Sequence, residues 1–401
     1  MAGLTQTEQA CVEHASAEPM LAQVEAWAAV NSGTRNLAGL ATLSGTLANA
    51  FSVLPGDLQL LNPQPVEGIS ADGKPFAIEH GRNLHLTVRP EAPLQLLFTG
   101  HMDTVFGAEH PFQALHWIED GVLGGPGVAD MKGGIAVMLA ALKAIEASGE
   151  TNFGYEIVIN SDEEVGSPGS AALMARAARG KRAALTYEPA ALPDGTLAGA
   201  RPGSGNFSFV VSGRSAHAGR NPEDGRNALV AAADLALRLA AGKGQGLGVN
   251  PARIDGGGPN NVVPDSAVLR VNLRPTTLED QARAQNLIDG TVAQIATEHE
   301  VSIHAHGGFA RPPKPMTNQA GALFGLVRQA GADLGQAIDW KPTGGVCDGN
   351  NIAACGVPVV DTMGVRGGKI HSMEEFLITE SLAERAALSA LAILRLAGGA
   401  A

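Results

Sequence analysis

Five short polar clusters in this 401-residue chain hold side chains able to bind a cation or move a proton. They are His101-Met102-Asp103, Asp130 inside Gly124-Gly125-Pro126-Gly127-Val128-Ala129-Asp130-Met131-Lys132-Gly133-Gly134, the pair Glu163-Glu164, Glu188-Pro189, and His371. Glycine allows close backbone approach and dihedrals that other residues avoid. A turn so rich in it can present Asp130 into a confined space and hold it still, and packing alone asks for no carboxylate there. If the first cluster is extended, Asp103 faces the same way as His101. A carboxylate in that place fixes the tautomer of a metal-binding imidazole, although a capping pair in a loop reads the same. Glu163 and Glu164 repel each other, a cost that a nearby cation relieves. Their side chains point different ways, so one can ligate while the other stays free as a base; a solvated acidic turn is the competing reading. As a set these are two His, one Asp and two Glu ligands with one Glu to spare. Mixed nitrogen and oxygen donors suit zinc better than magnesium or calcium. Three ligand carboxylates leave two zinc ions with excess positive charge, which would acidify a bridging water. Asp130 is the residue expected to bridge.

The elements that must gather these clusters are legible as short apolar runs. Pro93 to Phe98, Tyr155 to Asn160, Ala183 to Tyr187 and Val357 to Val360 suit strands buried on both faces. The first three run directly into His101, Glu163-Glu164 and Glu188, and His371 lies downstream of the fourth. Ile135, Met138, Leu139, Leu142 and Ile145 form a helical stripe just after Asp130. Strand, polar cluster, helix in repetition predicts an α/β fold, a mostly parallel sheet with helices on both faces. Ligands of such sheets bind outside the carboxyl ends of the strands.

Residues 1–53 read as helical. Leu21, Val24, Trp27 and Val30 repeat at helical spacing, Asn31-Ser32-Gly33 breaks the run, and a second helix follows from about Asn36 to Phe51. Residues 54–92 read as short strands. From Ser204 to Arg311 the texture changes: a strand at Phe207 to Val211, a helix from Asn227 to about Ala241, one or two strands between Val262 and Leu273, a helix from Leu278 to about Glu298, and a strand at Val301 to His304. That order is a ferredoxin-like α+β layer. It is inserted at 204–311 into a catalytic domain made of 1–203 and 312–401, which an amphipathic helix from Ile378 to Leu396 closes.

The formal net charge is -12 and no basic cluster occurs, which argues against nucleic acid and anionic membranes as partners. Cys11, Cys347 and Cys355 are an odd set with no zinc-finger spacing or disulfide framework. The N-terminus has no secretory pattern, and no apolar run reaches the roughly 18 residues of a membrane helix. The expected location is the cytoplasm.

Gly100-His101-Met102-Asp103-Thr104-Val105, Gly127 to Gly134, Asp162-Glu163-Glu164-Val165-Gly166-Ser167, Tyr187-Glu188-Pro189 and Ile370-His371-Ser372 resemble, in order, the motifs of the co-catalytic zinc exopeptidase/deacylase family. That family includes glutamate carboxypeptidase of the carboxypeptidase G type, aminoacylase, acetylornithine deacetylase and succinyl-diaminopimelate desuccinylase. The resemblance covers essentially the whole chain. It implies two zinc ions per subunit, one held by His101 and Glu188, the other by Glu164 and His371, with Asp130 bridging. Glu163 would be the general base, Asp103 would orient His101, and the Asp130-Met131 peptide would be cis. His217, in Ser212-Gly213-Arg214-Ser215-Ala216-His217, would reach the partner's active site in a homodimer formed through the inserted layer and help hold the oxyanion. Asn261, Arg311 and Gly345 resemble substrate-binding positions. Cys347 stands where the carboxypeptidase G type usually has Thr, and Phe376 where Tyr is common.

The function implied is hydrolysis of the amide bond of a small molecule, a peptidyl or N-acyl amino acid with a free carboxylate. An N-acyl amino acid or acetylornithine-type deacylase is the near alternative. A non-catalytic metal-binding protein is a distant one, against which Glu163 is retained. A dinuclear phosphoesterase would want basic or amide phosphate ligands, and the motifs hold none.

Overall fold

The computed structural model describes residues 3–399, so the outermost two residues at each end of the helical and catalytic-domain expectations lie outside it. Three helices open the chain, α1 (Gln6–Ala17), α2 (Met20–Ala28) and α3 (Leu37–Phe51). α1 starts at a reciprocal cap in which Thr5 Oγ1 accepts from Glu8 N and the Glu8 carboxylate accepts from Thr5 N. Strand β1 (Asp57–Leu61) is followed by a hairpin of β2 (Val66–Ile69) and β3 (Pro75–Ile78), then by β4 (Asn83–Val88) and β5 (Leu94–His101). A second hairpin, β6 (His116–Glu119) and β7 (Val122–Gly124), leads into the glycine-rich turn and α4 (Gly134–Ser148). β8 (Phe153–Asn160), α5 (Ala171–Ala178), β9 (Ala183–Thr186) and β10 (Leu197–Ala198) complete the first part.

The central sheet runs β1-β4-β8-β5-β9, then β16 (Val359–Val360). It is mixed, with parallel pairing through four of its six strands. β8, β5, β9 and β16 pair in parallel, but β4 is antiparallel to both β1 and β8. The cause lies in residues 54–92, which contain no helix to carry a crossover, and short connections return a chain antiparallel. Alternation along β5 divides two cores: Leu96 and Phe98 join α4 and α10 (Glu380–Ala397) on one face, whereas Leu97 joins α5 on the other. Helices therefore cover both faces, as expected. α4 is buried nearly all round, not only along the predicted stripe, because α1 and α10 cover the side away from the sheet. Its alanines permit that close approach.

The inserted layer spans β11 (Ser204–Ser212), α6 (Ala228–Ala241), β12 (Leu247–Gly256), β13 (Ser266–Pro275), α7 (Leu278–Glu298) and β14 (Ser302–Arg311), with sheet order β12-β13-β11-β14. The β-α-β-β-α-β order holds, but β12 lies before the stretch expected to carry it. Pro251 and two glycines obscured its alternation, and Val262 to Asp265 is loop. Phe207, Phe209, Val211, Leu269 and Leu273 pack on α6 and α7 in a separate core. After the layer come α8 (Asn318–Asp333), β15 (Trp340–Lys341), α9 (Asp348–Ala354), β16, and β17 (Gly367–Gly368) and β18 (Phe376–Ile378) before α10. Among the described residues no helix is long and apolar enough to cross a membrane.

The β2–β3 hairpin straps the inserted layer on the face away from its helices. Alternation places Val268 with Ser266 and Arg270 on that face, yet Val268 is 0% exposed, because the hairpin tip at Gly73 lies against Val268 and Val210. Arg270 Nη2 donates to the carbonyls of Ile69 at 2.8 Å and Ser70 at 3.3 Å, and His306 Nε2 lies 3.0 Å from the Glu67 carbonyl. The feet of the hairpin rest on the turn after β8: Gln64 N donates to Gly169 O at 2.8 Å and Ser161 Oγ to Gly81 O at 2.7 Å. Replacing Arg270 by Met should lower stability by about 1–2 kcal/mol in denaturant unfolding. It should also speed amide exchange across residues 66–78 while leaving α6 and α7 unchanged.

Candidate metal centre

His101 is the last residue of β5, Glu163 and Glu164 form a single turn after β8, and Glu188 follows β9. Parallel pairing of these strands therefore brings three clusters to one edge of the sheet. Asp130 enters from the glycine turn before α4, and its peptide bond to Met131 is cis, as the resemblance implies. His371 comes from the loop between β17 and β18. Its φ of 62° is left-handed, a conformation that costs a residue with a Cβ roughly 1–2 kcal/mol and that sites of function tolerate.

Asp130 lies between the two imidazoles. Its Oδ1 is 3.1 Å from His101 Nε2 and its Oδ2 is 3.3 Å from His371 Nε2. Glu188 Oε2 is 3.7 Å from His101 Nε2, and Glu164 Oε2 is 3.1 Å from His371 Nε2. All five expected ligands thus converge, one imidazole and one glutamate on each side of the bridging aspartate. Two overlapping sets have donor atoms within 4.8 Å of one another: His101, Asp130 and Glu164, and His101, Glu163 and Glu188. Glu163 belongs to the second set and lies beside the five expected ligands.

The electrostatics describe a site made for cations. Burial, then the charge of Asp130, pushes Glu164 up to about 7. Burial pushes Glu163 and Glu188 up as well, although cations beside each oppose the rise. Burial would raise Asp130 too, but hydrogen bonds from His101 and His371 hold it well below the carboxylate range. Hydrogen bonds to Asp130 and Glu164 carry His371 up to about 11. Four carboxylates crowded beside two imidazoles are a donor set for which hard oxygen and borderline nitrogen ligation of a divalent pair is the natural occupant.

Asp103 is fully buried and meets more than the His101 ring. His101 Nδ1 lies 3.0 Å from the Asp103 main-chain carbonyl and 3.4 Å from its carboxylate. The carboxylate accepts from Glu163 N at 3.1 Å, Glu164 N at 3.2 Å and Thr34 Oγ1 at 2.7 Å. It therefore locks the Glu163–Glu164 turn against the end of β5.

A cavity of about 540 Å³ opens beside the ligands. Pro189, Ala198, Val346, Cys347 and Phe376 give it apolar walls, and Gly345 lines it. His217 and Asn261 are brought together, but elsewhere: both are exposed on the inserted layer, where Ala218 N donates to Asn261 O. Neither lines the cavity. His217 Nδ1 accepts from Gly219 N and Arg220 N, so its neutral ring carries the proton on Nε2, as a donor. Arg311 also does not line the cavity. Contrary to the expectation of a substrate ligand, its guanidinium is buried and occupied by Glu163 and Asp348.

Two contributors escaped the sequence reading. Arg201 lines the cavity; its Nε donates to Asp361 Oδ2 at 2.8 Å and its Nη1 to Gly345 O at 3.2 Å. Lys314 shares Asp361 at 3.0 Å, so two buried cations face that one carboxylate, and Arg201 also feels the charge of Glu188. Glu375, 1% exposed, accepts from Gly127 N, Ala129 N and Asp130 N at 3.0–3.2 Å, and burial lifts it to about 8. The signal for it was indirect: a tight turn entering a helix leaves N–H groups that need an acceptor.

The zinc-free chain should release protons when it takes up zinc, because ligand nitrogens must be neutral. His371, ordinarily near 6.5, keeps its proton up to about 11. Its ion pairs stabilise the zinc-free fold fully below 6.5, and that stability is lost as pH rises through about 11. Zinc affinity should accordingly rise with pH across the neutral range. Calorimetry in buffers of different ionisation enthalpy should show about one or more protons leaving per chain near neutrality; heats independent of buffer would contradict the assignment.

The comparisons agree with this geometry. Residues 97–395 match the model of peptidase family M20/M25/M40. Carboxypeptidase G2 of Pseudomonas sp. (strain RS-16) is 31% identical over 337 residues, covering 80% of this chain and 78% of that protein. Succinyl-diaminopimelate desuccinylase of Maricaulis maris is 32% identical over 314 residues, 70% and 75% of the two chains. A tripeptidase structure from Staphylococcus aureus superposes with TM-score 0.70 at 23% identity, covering 98% and 99%, which speaks for the fold. The chain belongs to the M20/M25/M40 peptidase family and is a metal-binding hydrolase with a candidate dinuclear centre.

Proposed function

We propose that this chain is a zinc-dependent hydrolase of the amide bond in a peptidyl or N-acyl amino acid with a free carboxylate. The observation that carries the reading is the convergence of His101, Asp130, Glu164, Glu188 and His371 with Glu163 beside them. The names of the two relatives, a carboxypeptidase and a desuccinylase, support it. Two zinc ions held by those five residues would supply Lewis acidity toward the amide carbonyl and toward water. Glu163 takes a proton from the attacking water, whose oxygen bonds to the carbonyl carbon. As the C–N bond breaks, Glu163 returns that proton to the leaving nitrogen.

Arg201, which lines the cavity, suits the substrate's carboxylate, since a guanidinium pairs with a planar carboxylate. The apolar cavity walls suit the rest of the leaving amino acid. His217 sits away from the cavity of its own chain, which supports its acting in a partner's site, as a donor to the developing oxyanion. Val230 and Leu237, 52% and 71% exposed and seven residues apart on α6, support a homodimer through the inserted layer. All three cysteines are free, which suits a reducing compartment such as the cytoplasm.

Zinc-loaded protein should be assayed on N-acylglutamates, acetylated amino acids and N-succinyl diamino acids. Release of glutamate rather than acetate supports the carboxypeptidase reading, the reverse the deacylase, and no turnover by protein holding two zinc ions would sink both. Glu163→Gln should keep the metal and lose about 10²–10⁴-fold in kcat. Arg201→Gln should raise KM by about tenfold or more with kcat little changed.

A further inference from the structure

Arg311 occupies an unusual place for a buried cation. It is the last residue of β14, where the inserted layer rejoins the rest of the chain, and it pairs with Ser204, the first residue of β11. Both strands that join the layer to the central sheet meet there. The side chain is only 3% exposed. Nη2 donates to Glu163 Oε1 at 2.7 Å, to the Glu163 carbonyl at 3.0 Å and to Ser167 Oγ at 3.1 Å. Nη1 donates to Asp348 Oδ1 at 3.0 Å and Asn351 Oδ1 at 3.2 Å.

One guanidinium thus grips Glu163 by main chain and side chain at once. The far end of the grip is itself anchored. Asp348, at the start of α9, accepts from Ser167 Oγ at 2.5 Å and Asn160 Nδ2 at 2.8 Å, so both ends of the base-bearing turn are tied to it. A free glutamate has three side-chain torsions to fix, and a base that must take a proton and then deliver it to a different atom gains from having one orientation. Arg201, not Arg311, lies in the cavity wall where a substrate carboxylate could meet a cation.

We propose that Arg311 is a positioning residue for Glu163, supplied by the strand through which the inserted layer rejoins the central sheet, so that the seating of the layer sets the orientation of the base. The proposal rests on Glu163 being the base. It separates Arg311 from the substrate-binding role implied by resemblance.

Arg311→Lys and Arg311→Met test it. Lysine keeps the charge as a single point donor and cannot bridge Glu163 and Asp348 as a planar fork does. Both variants should keep two zinc ions per chain by elemental analysis. On the best substrate of the panel, kcat should fall by about 100-fold in Arg311→Met and by less in Arg311→Lys, with KM held within about threefold. Amide exchange over residues 161–170 should accelerate in Arg311→Met and return part of the way in Arg311→Lys. Should the Met variant not fold, Asp348→Asn loosens the same grip from its far end and should give the same pattern more weakly. A rise in KM of about tenfold or more with kcat maintained, or unchanged exchange over 161–170, would overturn the proposal. A panel without any turnover condemns the hydrolase reading instead, and the exchange comparison still decides whether Arg311 orders the turn.

Discussion

Four carboxylates and two imidazoles meet at one edge of the central sheet, in a space where all but His371 are largely removed from water. Asp130 gives one oxygen to each imidazole, and burial drives Glu163, Glu164 and Glu188 toward protonation. Such a cluster is unfavourable in a chain without cations, since like charges in a poor dielectric repel and desolvation penalises each. The rest of the fold is arranged to hold that crowding in place. Strands β5, β8 and β9 deliver their ends side by side, α4 plugs the core behind Asp130, and Glu375 secures the turn that carries it.

The turn at Glu163 and Glu164 is the most heavily held part of the site. Asp103 accepts both of its N–H groups, Arg311 holds the Glu163 carboxylate, and Asp348 ties its two ends. The feet of the β2–β3 hairpin press on the same segment while its tip lies on the inserted layer. Two separate connections therefore run from the layer to the Glu163–Glu164 turn. Interfaces of this kind have discrete packed arrangements rather than continuous deformation, which makes the relative seating of layer and sheet consequential for the chemistry.

Under the proposed function, the cavity would recognise the substrate and the candidate metal centre would react with it. Arg201 lies in the wall of the same cavity that the expected ligand carboxylates open onto, and Asp361, shared with Lys314, holds it from outside the lining. A substrate held by its carboxylate there would place its neighbouring amide toward the ligands. That geometry requires both walls, and they come from residues 188–201 and 343–376, on opposite sides of the inserted layer in sequence.

By itself the amino-acid sequence determined the local units and the reacting groups. Apolar runs ending in His101, Glu163-Glu164 and Glu188 marked buried strands with polar ends, the glycines around Asp130 marked a confined turn, and the texture change at 204–311 marked a second layer. These are short-range signals, because periodicity and turn chemistry act over a few residues. The β4 reversal, the position of β12, and the burial of α4 on nearly every side depended on neighbours that no local window contains. The same holds for Glu375, whose partners lie some 245 residues away, for Arg201, whose loop carries no motif, and for Arg311, which resembled a substrate-binding position and instead pairs with Glu163. Only the folded chain decided which carboxylate each buried cation meets, because that choice is made by distance in space and by exclusion of water.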